Sequence, residues 1–146
     1  MSQYVKVMVK NGQKLRIINM KIEVPLFVIL PRKTKDDKKV IINLNYYRNW
    51  HFQISNQVKE KYKEQLEDKL KGLKFKDHIK LHFILYQGSK RRVDRANVLS
   101  IHEKFFCDAL TAYGCLKDDN DNFIEETKYT SGGVDKENPR VEIFIN

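Results

Sequence analysis

The chain has 146 residues, 41% of them hydrophobic and 11% aromatic. That suits one globular domain with its own core and excludes a disordered polymer. The net charge of +9 is divided unevenly: residues 1–93 hold 22 Lys/Arg against 8 Asp/Glu, +14, and residues 94–146 hold 6 against 11, −5. A basic platform joined to an acidic portion suits a protein that grips a polyanion and acts on it at a carboxylate cluster.

Val5, Val7 and Val9 alternate with Lys6, Met8 and Lys10, the period of a strand, and Asn11-Gly12 supplies a hairpin signal. Leu15 to Val24 returns as a second strand, and Phe27 to Leu30 as a third or its continuation. Pro25 and Pro31 bracket the longest apolar run, which is far short of the roughly 18–20 residues of a membrane span. No signal-peptide core opens the sequence at Met1-Ser2-Gln3, so a cytosolic protein with no membrane partner is expected. A polar basic loop follows at Arg32–Lys39, and Val40-Ile41-Ile42 is too short to assign.

Asn43 to Phe52 mixes aromatics, amides and an arginine with neither helical nor strand period. Such residues contact phosphates or stack on unpaired bases. Trp50 and Phe52 read as caps on the core, and Tyr46 and Tyr47 as its cover. Ser55-Asn56-Gln57 opens a helix that runs to about Lys71 and stops at Gly72. Val58, Tyr62, Leu66 and Leu70 form its apolar stripe. Glu60–Lys63 and Glu67–Lys71 are attractive pairs on a solvated face.

Ile79 to Tyr86 is a strong strand, ended by Gln87-Gly88-Ser89. Asp94 therefore falls just past a strand end and before a helix over about Asn97–Ala112, whose core residues are Val98, Ile101, Phe105, Ala109 and Leu110. Tyr113-Gly114 ends it. Phe123 to Tyr129 is the next strand, Ser131-Gly132-Gly133 a flexible turn, and Val141 to Ile145 a closing strand. The expected architecture is α/β, in the α+β sense: residues 1–146 as one domain, with a mixed, largely antiparallel sheet and two main helices packed on it. Cys107 and Cys115 fit neither a disulfide framework nor a zinc spacing and read as buried thiols. His78 and His82 have i,i+4 spacing but lie in a strand-like run, which argues against a zinc helix.

The chemistry concentrates in Lys90-Arg91-Arg92-Val93-Asp94-Arg95-Ala96-Asn97 and, about two dozen residues on, Leu116-Lys117-Asp118-Asp119. Magnesium takes oxygen ligands and is held by one or two carboxylates plus waters and phosphate, while the basic residues attract the polyanion. Taken alone, Asp118–Asn122 also reads as a solvated turn, Asp94 as a helix cap or a partner for Arg91, and Lys104 and Asp108 as an i,i+4 pair.

The stretch RRVDRAN…KFFCDALTAYGCLKDDNDNF resembles the RusA-type Holliday junction resolvases of phages and prophages. Their pattern is a basic loop, Asp-x-Asp-Asn, a Lys, Asp-Ala-Leu, a Gly and an Asp-Asp pair. The resemblance runs from about Lys90 to Phe123, with weaker support from Leu44–Asn49 and from Pro139–Ile143.

It implies a structure-selective endodeoxyribonuclease that resolves four-way junctions as a homodimer, using Mg²⁺ or Mn²⁺, in a phage- or prophage-infected cell. It assigns Asp94 and Asp119 to catalysis and metal binding, Lys104 to charge stabilisation and Asp118 to orienting a metal-bound water. Lys90, Arg91, Arg92, Arg95 and Asn97 would bind DNA, with Asn45, Arg48 and Asn49 from the earlier loop. Two departures stand out. Ala96 replaces the second Asp of the motif, and four extra residues separate Asn97 from Lys104, about one helical turn. Glu103 or Asp121 could replace the missing carboxylate. The alternatives are a branched-DNA-binding protein that cuts nothing and a nuclease that prefers flaps or forks.

Overall fold

The computed structural model describes residues 4–8, 15–75, 78–116 and 123–146, with the side chains of 4–8 and 15–19 left aside. Among the described residues, eight strands and four helices make a single α+β domain. In chain order they are β1 (Tyr4–Met8), β2 (Leu15–Pro25), β3 (Phe27–Leu30), β4 (Lys38–Ile41), α1 (Leu44–Asn49), α2 (Phe52–Gln65), α3 (Glu67–Leu70), β5 (Lys74–Phe75), β6 (Ile79–Gln87), α4 (Arg95–Ala112), β7 (Ile124–Val134) and β8 (Arg140–Ile145).

The main sheet has the order β5-β1-β2-β8-β6-β7. Its body is β2-β8-β6-β7, extended by β1 and β5. All pairings are antiparallel except β6 with β7, which α4 joins as a parallel crossover. Parallel neighbours need such a connection because a strand must be carried back to its starting end. β3 and β4 form a separate two-stranded antiparallel ribbon.

Alternation sets the layers. In β6, Ile79, Leu81, Phe83 and Leu85 are buried beneath the helices, with Val141, Ile143 and Ile145 of β8 beside them. Val58, Tyr62, Leu66 and Leu70 cover them as the expected stripe, and Leu99, Phe106 and Leu110 of α4 complete the core. Leu99, His102, Phe106 and Cys107 join the expected core residues of α4, and Val98 is only half-buried.

The long middle helix differs from the expected span. It starts at Phe52, where His51 caps it by accepting from the Gln53 N–H, and it breaks at Leu66 before resuming as α3. Lys71 follows, and Gly72 takes φ 89°, which favours glycine and ends the run. The ion pairs Lys63–Glu60 and Lys71–Glu67 form at 3.2 Å each. The aperiodic stretch before it is helical at α1, because the Asn43 side chain accepts from the Tyr46 N–H and caps a short turn. Val40 and Ile41 belong to β4.

Ser131-Gly132-Gly133, expected as a flexible turn, lies inside β7. Glycine is needed there for close approach: a Cβ on Gly132 would sit 2.5 Å from Cζ of Tyr86. The hairpin at Asn11-Gly12 lies outside the described residues, although β1 and β2 do pair antiparallel as it requires. Cys107 and Cys115 are buried and form no disulfide. Burial pushes the Cys115 thiol up to about 11, and its Sγ donates to the Leu70 carbonyl at 3.2 Å, as an inert structural thiol does. Among the described residues, no helix is long and apolar enough to cross a membrane.

Candidate functional site

The C-terminal ends of the parallel pair β6 and β7 carry the basic loop, at the place where rigid strands position loops in α/β sheets. Gln87, Ser89, Lys90, Arg91, Arg92 and Val93 face Ser131, Gly133 and Val134 across an open groove of about 290 Å³. The loop is braced at its root. The Asp135 N–H donates to the Gln87 carbonyl at 2.7 Å, and the Ser89 hydroxyl accepts from the Arg91 N–H at 3.4 Å. Lys90, Arg91, Arg92 and Arg95 are all exposed.

Asp94 ends the loop and starts α4. Its Oδ1 accepts from the Ala96 N–H at 3.0 Å, and its carbonyl accepts from the Asn97 N–H at 3.1 Å. Asp94 is thus the N-cap, and α4 begins two residues before the expected Asn97. The carboxylate stays exposed, so its remaining lone pairs face solvent. One exposed carboxylate with one oxygen tied to an amide fits a magnesium ion held mainly by water and phosphate. The first turn of α4 holds no acidic residue. The positive end of its dipole therefore meets three arginines and one carboxylate, a field that favours phosphate.

Lys104 is exposed on α4, seven residues beyond half-buried Asn97. Seven residues are close to two turns, so the two share a face, roughly 10 Å apart along the axis. Lysine side chains on a helix slant back toward its N-terminus, here toward Asn97. Glu103 lies nine residues, roughly 13 Å, up the helix from Asp94 and accepts a hydrogen bond from the Tyr129 hydroxyl. Burial, with Glu103 adding to it, pushes the Tyr129 hydroxyl well above its ordinary range.

Asp118, Asp119 and Asp121 lie outside the described residues. Their described flanks are Leu116 and Phe123. The Leu116 N–H donates to the Leu110 carbonyl at 3.4 Å, and the Phe123 carbonyl accepts from the Ile79 N–H at 2.8 Å. Leu110 lies sixteen residues from Asp94, roughly 24 Å along α4. Ile79 opens β6, whereas Asp94 follows its other end. Both flanks therefore sit at the opposite end of the helix–sheet layer from Asp94. Among the described residues, no group of three or more His, Cys, Asp or Glu side chains is placed to hold a metal ion.

α1 lies against α4 through Tyr47 and Trp50, which meet Phe105 at ring-centroid distances of 6.1 and 6.4 Å. Asn45, Arg48 and Asn49 are exposed on this helix, and the Asn49 side chain donates to the Asn45 carbonyl at 2.8 Å. The sequence reading of the aromatics is right for Trp50 and Tyr47, which are half-buried. It is wrong for Phe52 and Tyr46, which stand in solvent.

A charged cluster beside the groove escaped the sequence reading. The Arg140 guanidinium donates to Glu142 (2.9 and 3.1 Å) and Asp135 (2.8 Å), and covers the Tyr86 ring at 4.0 Å. Lys21 reaches Glu142 at 3.4 Å. Arg140 and Glu142 are two apart in a strand and so share a face, the one sign of the pairing that the sequence carries.

No family model matches the chain, and no curated protein matches it.

Proposed function

We propose that this protein is a Mg²⁺- or Mn²⁺-dependent endodeoxyribonuclease that binds branched DNA and resolves four-way junctions as a homodimer. The observation that carries the reading is Asp94 at the N-terminus of α4, flanked by exposed Arg91, Arg92 and Arg95 at the C-terminal ends of β6 and β7. Lys90 and the three arginines attract the backbone. The open first turn of α4 and Asn97 orient a phosphate beside the Asp94 carboxylate. Lys104 approaches from the same face to stabilise charge on that phosphate as it develops. Asn45, Arg48 and Asn49 hold a second stretch of backbone. A bound divalent ion supplies an activated water and charge neutralisation at phosphorus.

The flanks of the Asp118-Asp119 pair lie at the far end of α4 from Asp94. The pair itself lies outside the described residues, and on this reading it supplies the further carboxylates of the metal site. The two-fold dimer supplies the two sites that paired nicks require. The setting is a phage- or prophage-infected cell.

Competition among four-way, three-way and linear DNA for binding and cutting tests the substrate. Preference for the four-way junction supports resolution. Preference for forks or flaps replaces it with the related nuclease reading. Binding without cutting leaves a branched-DNA-binding protein.

A further inference from the structure

The corner between α1 and α2 turns two aromatic rings outward. Phe52 is 66% exposed and Tyr46 50%. Apolar side chains scattered singly on a surface need no explanation, but this corner is built. The His51 ring is held by the hydrogen bond its Nδ1 accepts from the Gln53 N–H at 3.3 Å. Phe52 lies against that ring, with centroids 4.5 Å apart and planes at 36°. Behind them the corner is anchored: Trp50 stacks on Phe105 at 16°, and Tyr47 meets Trp50 edge-on at 5.8 Å. Phe52 thus packs on a ring that is itself held, and needs less further ordering to meet a ligand.

The surroundings select the ligand. No Asp or Glu stands between Asp37 and Glu60, a stretch that includes Lys38, Lys39, Arg48 and Lys59. Exposed Arg48, Asn45 and Asn49 lie on the adjoining helix. A specific protein partner needs on the order of 800 Å² from each side, far more than two protruding rings offer. A nucleobase needs only one flat face, and every base has one.

We propose that Phe52, backed by His51 and assisted by Tyr46, is a stacking platform for an unpaired nucleobase, with Arg48 on the adjacent phosphate. The inference rests on the DNA-binding part of the reading above and names what that surface distinguishes: bases freed from the stack, as at a branch point, from paired bases in linear duplex.

The test is fluorescence anisotropy of a labelled oligothymidine and of a labelled linear duplex, without metal, against the wild-type protein and three variants. Phe52→Ala and Phe52→Leu are expected to bind the single strand about tenfold more weakly, with duplex binding unchanged. Phe52→Trp is expected to bind it as the wild type does, with the new indole quenched on binding. Equal single-strand binding by all four proteins would overturn the proposal. So would equal losses on duplex and single strand, an unquenched indole, or a wild type that ignores the single strand. Cleavage is not scored, so a protein that cuts nothing can still pass this test, and a junction nuclease can fail it.

Discussion

The Asp94 carboxylate accepts a hydrogen bond from the backbone N–H of Ala96, two residues on. One side chain thus has a structural task, closing the first turn of α4, and a proposed chemical one. The two separate by substitution. Asn caps as well as Asp, so Asp94→Asn should change stability by only a few tenths of a kcal/mol, while Asp94→Ala should cost about 1 kcal/mol. Both should abolish nicking and spare junction binding. Urea unfolding and a gel-shift titration measure the two effects. A fully active Asp94→Asn would remove Asp94 from the site.

Ala96→Asp should gain in two ways. A carboxylate in the first turn meets the positive end of the α4 dipole, worth about 0.3–1 kcal/mol at an exposed position. It also adds a second oxygen ligand beside Asp94, which should lower the Mg²⁺ concentration needed for half-maximal cutting. Thermal unfolding and a magnesium titration of the nicking rate measure these. An unchanged magnesium requirement would mean that position 96 does not face the ion.

Asp119→Asn should abolish nicking and spare junction binding, because a metal ligand is lost while the basic loop stays. A denaturing gel of the cleavage products and a gel-shift titration measure the two effects. Full cleavage by this variant would remove Asp119 from the site.

Much of this was legible in the sequence because it follows from period and capping. The alternation in β6 and the four-residue stripe from Val58 to Leu70 each permit only one buried face. Other features depend on neighbours that a linear pattern does not show. Gly132 looks like a turn residue until Tyr86 lies above it. Phe52 looks like core until His51 caps a helix there and turns its ring outward.

His102 makes stability depend on acidity. It is fully buried, its Nδ1 lies 2.8 Å from the Tyr62 hydroxyl, and its Nε2 has no hydrogen-bond partner among the described residues. Burial pushes its pKa down from 6.5 to about 3. The folded state therefore holds it neutral while the unfolded chain protonates it. Its contribution is full above pH 6.5 and is lost progressively as pH falls toward 3, by about 1.4 kcal/mol per unit. Urea midpoints between pH 7 and 4 should fall for the wild type and fall less for His102→Gln. Parallel profiles would assign the acid sensitivity to other groups.

Glu142 is 5% exposed and takes charge from both Arg140 and Lys21. Glu142→Gln leaves a half-buried guanidinium with Asp135 at 2.8 Å and Glu23 at 3.8 Å as carboxylate partners, and should cost about 3 kcal/mol in urea unfolding. A loss of a few tenths would show that the cluster is solvated rather than structural.

The central claim is metal-dependent cutting of branched DNA, and it is tested most directly with an end-labelled synthetic four-way junction, incubated with and without Mg²⁺ and resolved on a denaturing gel. Paired, symmetric nicks that appear only with the ion are the predicted result. Tight binding with no nicks, in Mg²⁺ and in Mn²⁺ alike, would contradict it.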